Sequence, residues 1–357
     1  MGKIKLGVLF GGRSSEYEIS LLSAYAVLSN VNAEKYDITK IGITKDGKFF
    51  VYDGDLGSIR DGSWCGDPAR LSALLADPSY GSRRIAVSRP DGKGKTDFIT
   101  LDVVFPVLHG RNGEDGRMQG LFETAGVPAV GCECTPSGVT MDKALTKAVV
   151  SLSSDIRQAK AVTAFSTEDR DEVRRKAEEE IGYPMFVKPS RSGSSVGCSV
   201  VNGADEFGGA LDNAFSEDSK ILIEERIRGR ELEVAVLEES GALTVSVPAE
   251  IDVGGSDFYD YETKYVSDES SFFIPARVPD ETLKAASDTA ARIFRILECR
   301  GLSRVDFFLT DGGELIFNEI NTMPGFTPIS MYPKLMEHAG IGYSELIDRL
   351  IASAMNK

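Results

Sequence analysis

Arg304-Val305-Asp306-Phe307-Phe308-Leu309 and Leu315-Ile316-Phe317-Asn318-Glu319-Ile320-Asn321 are two largely apolar runs separated by Thr310-Asp311-Gly312-Gly313-Glu314. The pattern predicts a hairpin. With Gly312-Gly313 as a two-residue loop, as their freedom to take positive φ suggests, Asp306 falls opposite Glu319 and Arg304 opposite Asn321. The strand period of two then puts all four side chains on one face. Like charges opposed at roughly 5 Å destabilise a sheet. A divalent cation would relieve the conflict, since carboxylates and an amide oxygen are hard donors of the kind Mg²⁺ takes beside phosphates. A solvated face on which Arg304 neutralises one acid is the alternative.

At 357 residues the chain has room for two or three domains, and its net charge of −15 argues against a nucleic-acid surface. Met1-Gly2-Lys3-Ile4-Lys5 leads into an apolar run, Leu6 to Phe10, too short for a signal segment or a membrane span, so a soluble cytoplasmic protein is expected. Cys65, Cys132, Cys134, Cys198 and Cys299 form no CxxC pair, and only His109 and His338 could join them, which leaves no set of zinc ligands. Reduced structural thiols are the expected state.

The chain opens with a buried strand, Ile4 to Phe10, a break at Gly11-Gly12-Arg13-Ser14-Ser15, and a helical pattern from Glu16 to Leu28. Strands at 36–43 and 101–107 and a helix at 116–125 continue an α/β unit with a mostly parallel sheet, ending near residue 135. Residues 54–100, rich in Gly, Ser, Asp and Arg around Trp64, read as an excursion with no assignable chemistry. A helix at 140–152, a charged helix at 167–181, strands at 184–188, 198–202 and 220–224 and a helix near 204–215 form a small α+β domain over 136–226. Strands at 231–238 and 243–250, a helix at 280–297 and the hairpin complete a third domain, 227–357.

Three further stretches could carry chemistry. Gly11-Gly12-Arg13-Ser14-Ser15-Glu16 lies at a strand-to-helix turn but is not GxGxxG. Glu16 there would repel a pyrophosphate and suit an ammonium group, unless it only complements the helix dipole. Val187-Lys188-Pro189-Ser190-Arg191-Ser192-Gly193-Ser194-Ser195-Val196-Gly197 is a hydroxyl- and glycine-rich loop able to wrap phosphate oxygens, or a plain flexible turn. Ile221-Leu222-Ile223-Glu224-Glu225 with Glu231 ends a strand in acids that could face a ribose, or simply solvent.

In this order the pieces resemble the D-alanine–D-alanine ligases of the ATP-grasp superfamily. The specific strings are Val8-Leu9-Phe10-Gly11-Gly12 with Glu16, Pro106-Val107-Leu108-His109-Gly110 with Gly113-Glu114-Asp115-Gly116, and Met141-Asp142-Lys143. They continue through Val187-Lys188-Pro189 with Gly193-Ser194-Ser195-Val196-Gly197, Phe258-Tyr259-Asp260-Tyr261 with Lys264-Tyr265, and Asn318-Glu319-Ile320-Asn321-Thr322-Met323-Pro324-Gly325-Phe326-Thr327. The likeness covers nearly the whole chain and favours metal on the hairpin face.

The resemblance implies three domains, with ATP held between the second and third. It implies that Lys143 and Lys188 contact phosphates, that Phe186, Glu224, Glu225 and Ile227 line the adenine pocket, that Glu231 holds the ribose, and that Ser195, Phe258 and Lys264 also bind the nucleotide. Asp306, Glu319 and Asn321 would coordinate two Mg²⁺, with Mn²⁺ able to replace them. Glu16 would take the ammonium of the first D-alanine, linked through Ser194 to Tyr265, with His109 near its carboxylate. Arg304 would stabilise oxyanions, and Ser330, Met331 and the backbone at Gly325 would hold the second D-alanine. The carboxylate would attack the γ-phosphate to give an acyl phosphate, which the second amine then opens while the 190–197 and 258–272 loops exclude water. Tyr265 favours an amine acceptor over D-lactate. Met331 offers no polar partner for a hydroxymethyl group, so D-alanine is expected over D-serine, the alternative. A non-catalytic nucleotide sensor is a further alternative, and a homodimer is the family expectation.

Overall fold

The protein is described from a computed structural model covering residues 2–76, 79, 81–88, 96–153, 155–252 and 271–356. Strand β1 (Ile4–Gly11) is buried at every position from Leu6 onward, as a central parallel strand must be. It pairs in parallel with β2 (Tyr36–Ile43) and β7 (Val103–Pro106), so Gly11 and His109 emerge together at the C-terminal edge of the sheet. The 54–100 excursion has a structural job that its composition concealed. Antiparallel strands β3 (Phe49–Tyr52), β4 (Leu71–Ala76), β5 (Arg84–Ser88) and β6 (Thr96–Thr100) extend the parallel trio in the order β6-β5-β4-β3-β2-β1-β7. Parallel pairing thus holds for the part of the sheet that leads to the site, and the expected excess of parallel strands does not extend beyond it. Trp64 is 1% exposed and stacks edge-on with Phe10 and Tyr52, while its indole Nε1 donates to Tyr17 Oη. A Cβ on Gly42 would lie 2.3 Å from that indole, so glycine is required there.

The second sheet, β10 (Ser199–Val201), β9 (Met185–Pro189), β11 (Lys220–Glu225) and β8 (Ala161–Phe165), is antiparallel throughout. Met185, Val187, Ile221 and Ile223 face the helices Arg170–Glu180 and Ala204–Glu217 in one apolar cluster. By the strand period Phe186, Lys188, Leu222 and Glu224 turn the other way. The sequence suggested one helix over 140–152; there are two, Cys134–Met141 and Lys143–Val150, separated at Asp142. Asp142 takes extended backbone because its carboxylate caps Leu145 N–H and pairs with Lys220 at 2.8 Å. Lys143 is thereby the first residue of a helix.

The third sheet runs β15 (Ser271–Phe273), β14 (Ala249–Asp252), β12 (Arg230–Glu239), β16 (Leu302–Leu309), β17 (Leu315–Asn321), with β13 (Ala242–Val245) on β12. One face carries Leu232, Val234, Val305 and Phe307 against Ala286, Ala290, Ile293 and Phe294 of the helix Asp280–Ile296. Each large side chain buried there contributes about 1.5–3 kcal/mol. The opposite face is divided. Ala235, Leu237 and Leu302 lie under Tyr332, Leu335 and Met336 of the helix Met331–His338, whereas Glu231, Glu233, Arg304, Asp306 and Phe308 lie beyond that cover.

The hairpin register agrees with expectation, but the turn does not. Asp306 pairs with Glu319 and Arg304 with Asn321. Gly312-Gly313 is not a two-residue loop: Thr310 and Glu314 close the turn, Gly313 N–H donates to Thr310 O, and Gly313 alone has positive φ, at 82°. That is a three-residue loop, which shifts the pairing by one. A bulge between Asp306/Phe307 and Phe317/Glu319 leaves Asn318 as an extra residue and restores the register.

Candidate active site

The open faces of the second and third sheets border a cleft of about 790 Å³. Lys143, Phe186, Lys188, Ser194, Ser195, Glu224, Glu225, Ile227, Glu231, Asp306 and Glu319 all line it. Strand alternation explains why: Phe186 and Lys188 on β9 and Glu224 on β11 point away from the helical layer, and Glu231 and Asp306 point away from the Asp280–Ile296 helix. Glu224 lies between Lys188 at 2.6 Å and Lys147 at 2.9 Å. Burial alone would raise its pKa, but the two ammonium groups outweigh this and hold it below the usual carboxylate value. Lys188 also approaches Asn318 Oδ1 at 3.4 Å, and Lys143 pairs with Glu319 at 3.2 Å while donating to Ser192 O at 2.8 Å. Burial opposes charge on Lys143, yet Glu319 and neighbouring groups keep its pKa above the ordinary value.

Lys147, Asn318 and Glu233 were not singled out from sequence. Lys147 is four residues from Lys143, the spacing that puts two side chains on one helix face, and Glu233 is two from Glu231 on a strand. Those spacings were the available signals. Asn318 reaches the cleft only because of the bulge.

Asp306 and Glu319 are opposed on one face, with Asn321 next along β17. As hard oxygen donors they suit Mg²⁺. In this arrangement Arg304 donates to both Asp306 oxygens, at 2.8 and 2.6 Å, and Asn321 Oδ1 accepts from Met323 N–H at 3.0 Å. Among the described residues no three His, Cys, Asp or Glu side chains converge as a ready metal cage. A divalent ion therefore fits by replacing the cations Arg304 and Lys143 as the partners of these carboxylates.

At the other end of the site Glu16, 8% exposed, accepts the Ser194 hydroxyl at 2.5 Å. Its side chain caps no backbone N–H of the helix Tyr17–Asn30, and Oε2 is buried without a hydrogen-bond partner among the described residues. Helix capping does not account for it. A Cβ on Gly110 or Gly193 would lie 2.4 or 2.9 Å from Oε2, so both loops approach as bare backbone. Ser194 and Ser195 take φ of 52° and 57°, a strained geometry for residues with side chains. Glu114, half-buried near Glu16, accepts from Gly110 N–H at 2.7 Å; burial first and then the Glu16 charge push its pKa up to about 8.

His109 is 5% exposed, with Nδ1 against Met323 O at 2.9 Å and Nε2 against Ser23 Oγ at 3.0 Å. The carbonyl can only accept, so Nδ1 carries the proton, and burial lowers the pKa of the ring. Nδ1 thus joins the chain beyond β7 to the segment after β17, and Nε2 joins it to the helix Tyr17–Asn30. Ser330 Oγ accepts from Thr327 N–H at 3.1 Å, and a Cβ on Gly325 would lie 3.0 Å from that oxygen. Met331 packs partly into the core beneath. Phe258, Lys264 and Tyr265 lie outside the described residues, as does most of the 258–272 loop.

Residues 5–132 match the family described as D-ala D-ala ligase N-terminus, and residues 155–352 the one described as D-ala D-ala ligase C-terminus. The D-alanine–D-alanine ligase of Caldicellulosiruptor bescii is 45% identical over 361 aligned positions, covering 100% of this chain and 96% of that protein. That of Chlorobium luteolum is 45% identical, covering 98% and 96%. Among solved structures, the VanG D-Ala:D-Ser ligase of Enterococcus faecalis superposes with a TM-score of 0.89 at 39% identity, covering 99% of this chain and 100% of that one. The D-alanine–D-alanine ligase of Coxiella burnetii gives 0.85 at 31%, covering 100% and 95%. With both parts of the family matched in order along one chain and the lysine-lined cleft between its second and third sheets, the protein belongs to the D-alanine–D-alanine ligase family, a group of ATP-grasp enzymes.

Proposed function

We propose that this protein joins two D-alanines into D-alanyl-D-alanine at the expense of ATP, by way of an acyl phosphate, and so supplies a peptidoglycan precursor. The observation that carries the reading is the Ser194–Glu16 bond, which ties the loop lining the lysine cleft to a carboxylate whose other oxygen, Oε2, is buried and in want of a donor among the described residues. An ammonium group satisfies that oxygen.

In this reading Lys143 and Lys188 exchange their carboxylate partners for ATP phosphates, with Ser195 beside them. Phe186, Glu224, Glu225 and Ile227 border the adenine, and Glu231 takes the ribose hydroxyls. Asp306, Glu319 and Asn321 would hold two Mg²⁺, or Mn²⁺, whose charge would stabilise the transferring phosphoryl group. Glu16 holds the first D-alanine by its ammonium and so orients the carboxylate toward the γ-phosphate. His109, neutral and fixed, shapes the wall near that carboxylate. Arg304 presents a buried, permanently charged guanidinium to the oxyanion that forms when the second amine attacks the acyl phosphate. Gly325, Ser330 and Met331 receive the second substrate. The 190–197 and 258–272 loops, the latter with Phe258, Lys264 and Tyr265, exclude water from the activated acyl group.

D-Serine as acceptor is the second reading, favoured by the likeness to the Enterococcus faecalis D-Ala:D-Ser ligase. Met331 favours D-alanine, because its thioether gives a hydroxymethyl group no strong partner. Domain boundaries near 135 and 226, a homodimer and a cytoplasmic location belong to the same proposal; among the described residues no helix is long and apolar enough to cross a membrane. Phosphate release in the presence of D-alanine, D-serine and D-lactate, with products weighed by mass spectrometry, tests the reading. Release coupled to D-alanyl-D-alanine supports it. A higher kcat/KM for D-serine replaces the acceptor, and release indifferent to all three removes the ligase.

A further inference from the structure

We propose that Glu233 is a positioning residue that keeps the Arg304 guanidinium in place when Asp306 turns to a divalent cation; the inference rests on the metal reading above. β12 sets Glu233 directly across from Asp306, and β17 sets Glu319 on the other side, so three carboxylates form one row over three adjacent strands. Arg304, one step along β16, has Ala235 across from it on β12 and Asn321 on β17. Its own row therefore holds no anion, and its partners come from the row beside it.

Those partners are unequal. Asp306 gives both oxygens to the guanidinium, at 2.8 and 2.6 Å, and Glu233 Oε2 stands 3.2 Å from Arg304 Nε. A guanidinium bound bidentately takes two of a carboxylate's four lone-pair sites and draws on its charge, so it competes with a metal. Asp306 meets a cation shared with Glu319 with its fuller charge and freer geometry when it gives up at least one of those bonds. Glu233 is two strands, roughly 9–10 Å, from Glu319, outside the reach of that shared ion. It is 5% exposed, and Arg304's side chain is 14% exposed. Burial works against the Arg304 charge, and Asp306, Glu233 and, more weakly, Glu319 restore it. With Asp306 and Glu319 turned to the cation, Glu233 is the described anion left within ion-pair distance of Arg304. It lets one carboxylate change partners without releasing the cation that meets the developing oxyanion.

The expected consequence is that Glu233→Gln makes Arg304 hold Asp306 more tightly, so that metal affinity and kcat fall together while KM for D-alanine stays near wild type. The experiment titrates the Mn²⁺–ADP complex with wild-type, Glu233→Gln, Arg304→Gln and doubly substituted protein, reading water-proton relaxation. Glu233→Gln should weaken the ternary complex by about tenfold, the scale of a lost outer partner of a metal ligand. In the Arg304→Gln background, where Asp306 is already free, the same change should alter affinity less than about twofold. Glu233→Asp, which keeps the charge, should retain most of the affinity and of kcat. An equal loss in both backgrounds would mean that Glu233 acts only as a distant negative charge, and no loss in either would mean that it does not act; both overturn the proposal. If the wild type forms no ternary complex, or Asp306→Asn leaves it unchanged, the metal reading itself fails and takes this inference with it.

Discussion

The two ends of the site are charged in different ways. In the cleft between the second and third sheets Glu224 stands between Lys147 and Lys188, Glu319 against Lys143, and Asp306 against Arg304. Around Glu16 there is one hydroxyl, a buried oxygen without a partner among the described residues, and two serines in left-handed backbone. In the proposed reading the first arrangement pre-positions cations that trade partners when phosphates and metal enter, so no bare charge is buried. The second keeps a need for a cation that no described residue meets and that, in the proposed reading, a substrate ammonium supplies. Glu114 sharpens the contrast, because with its pKa near 8 it is mostly protonated at neutral pH and leaves Glu16 as the charge beside it.

Glu319→Ala is the largest expected blow to the paired end. It removes a proposed metal ligand and the carboxylate paired with Lys143, and ATP turnover with D-alanine should fall about 10³-fold, the upper scale of one lost transition-state contact. Circular dichroism and melting should show the fold retained; lost stability with retained turnover would make the pair structural. Glu16→Gln attacks the unpaired end. It should lower kcat/KM for D-alanine on the order of 10²-fold, as for a buried charge pair, while KM for ATP moves less than about twofold. Equal losses for both substrates would erase the distinction between the two ends.

Lys147→Met leaves Glu224 with Lys188 alone. Because one cation remains, the expected cost in unfolding free energy is about 1–3 kcal/mol, below that of an unpaired buried charge, read by denaturant titration. Glu114→Gln has the mildest effect, confined to pH. A carboxyl whose pKa rises from 4.5 unfolded to about 8 folded binds its proton more tightly when folded, so its contribution to stability is lost as pH rises across that window. The substitution should flatten the wild-type decline in Tm between pH 4.5 and 8 and leave Tm below that window little changed. A decline of unaltered slope would mean that Glu114 ionises normally.

Much of this was legible in the sequence, for identifiable reasons. Strand alternation is local, so the common face of Arg304, Asp306, Glu319 and Asn321 followed from the residues. Its register came out correctly although the turn did not, since a three-residue loop and the Asn318 bulge shift the pairing in opposite senses. Two glycines in a row disguised that, because only Gly313 uses its freedom. The excursion around Trp64 stayed opaque because its strands gain their meaning from pairing along β2, which no local pattern announces. Lys147 and Glu233 were missed for a related reason. Each matters through a partner on another element, Glu224 and Arg304, which no local stretch of sequence shows. Glu16 was read as an ammonium partner, but its distinction from a helix cap needed the absent cap bond and the Ser194 contact, formed 178 residues away in sequence.

The most direct measurement follows the oxygen atoms. D-Alanine labelled with ¹⁸O in its carboxylate is turned over with ATP and Mg²⁺, and the released phosphate is analysed by mass. Attack of that carboxylate on the γ-phosphate, held by the lysines and oriented from Glu16, predicts one ¹⁸O in each phosphate formed with dipeptide. Unlabelled phosphate would contradict the account, because the carboxylate would never have been joined to phosphorus.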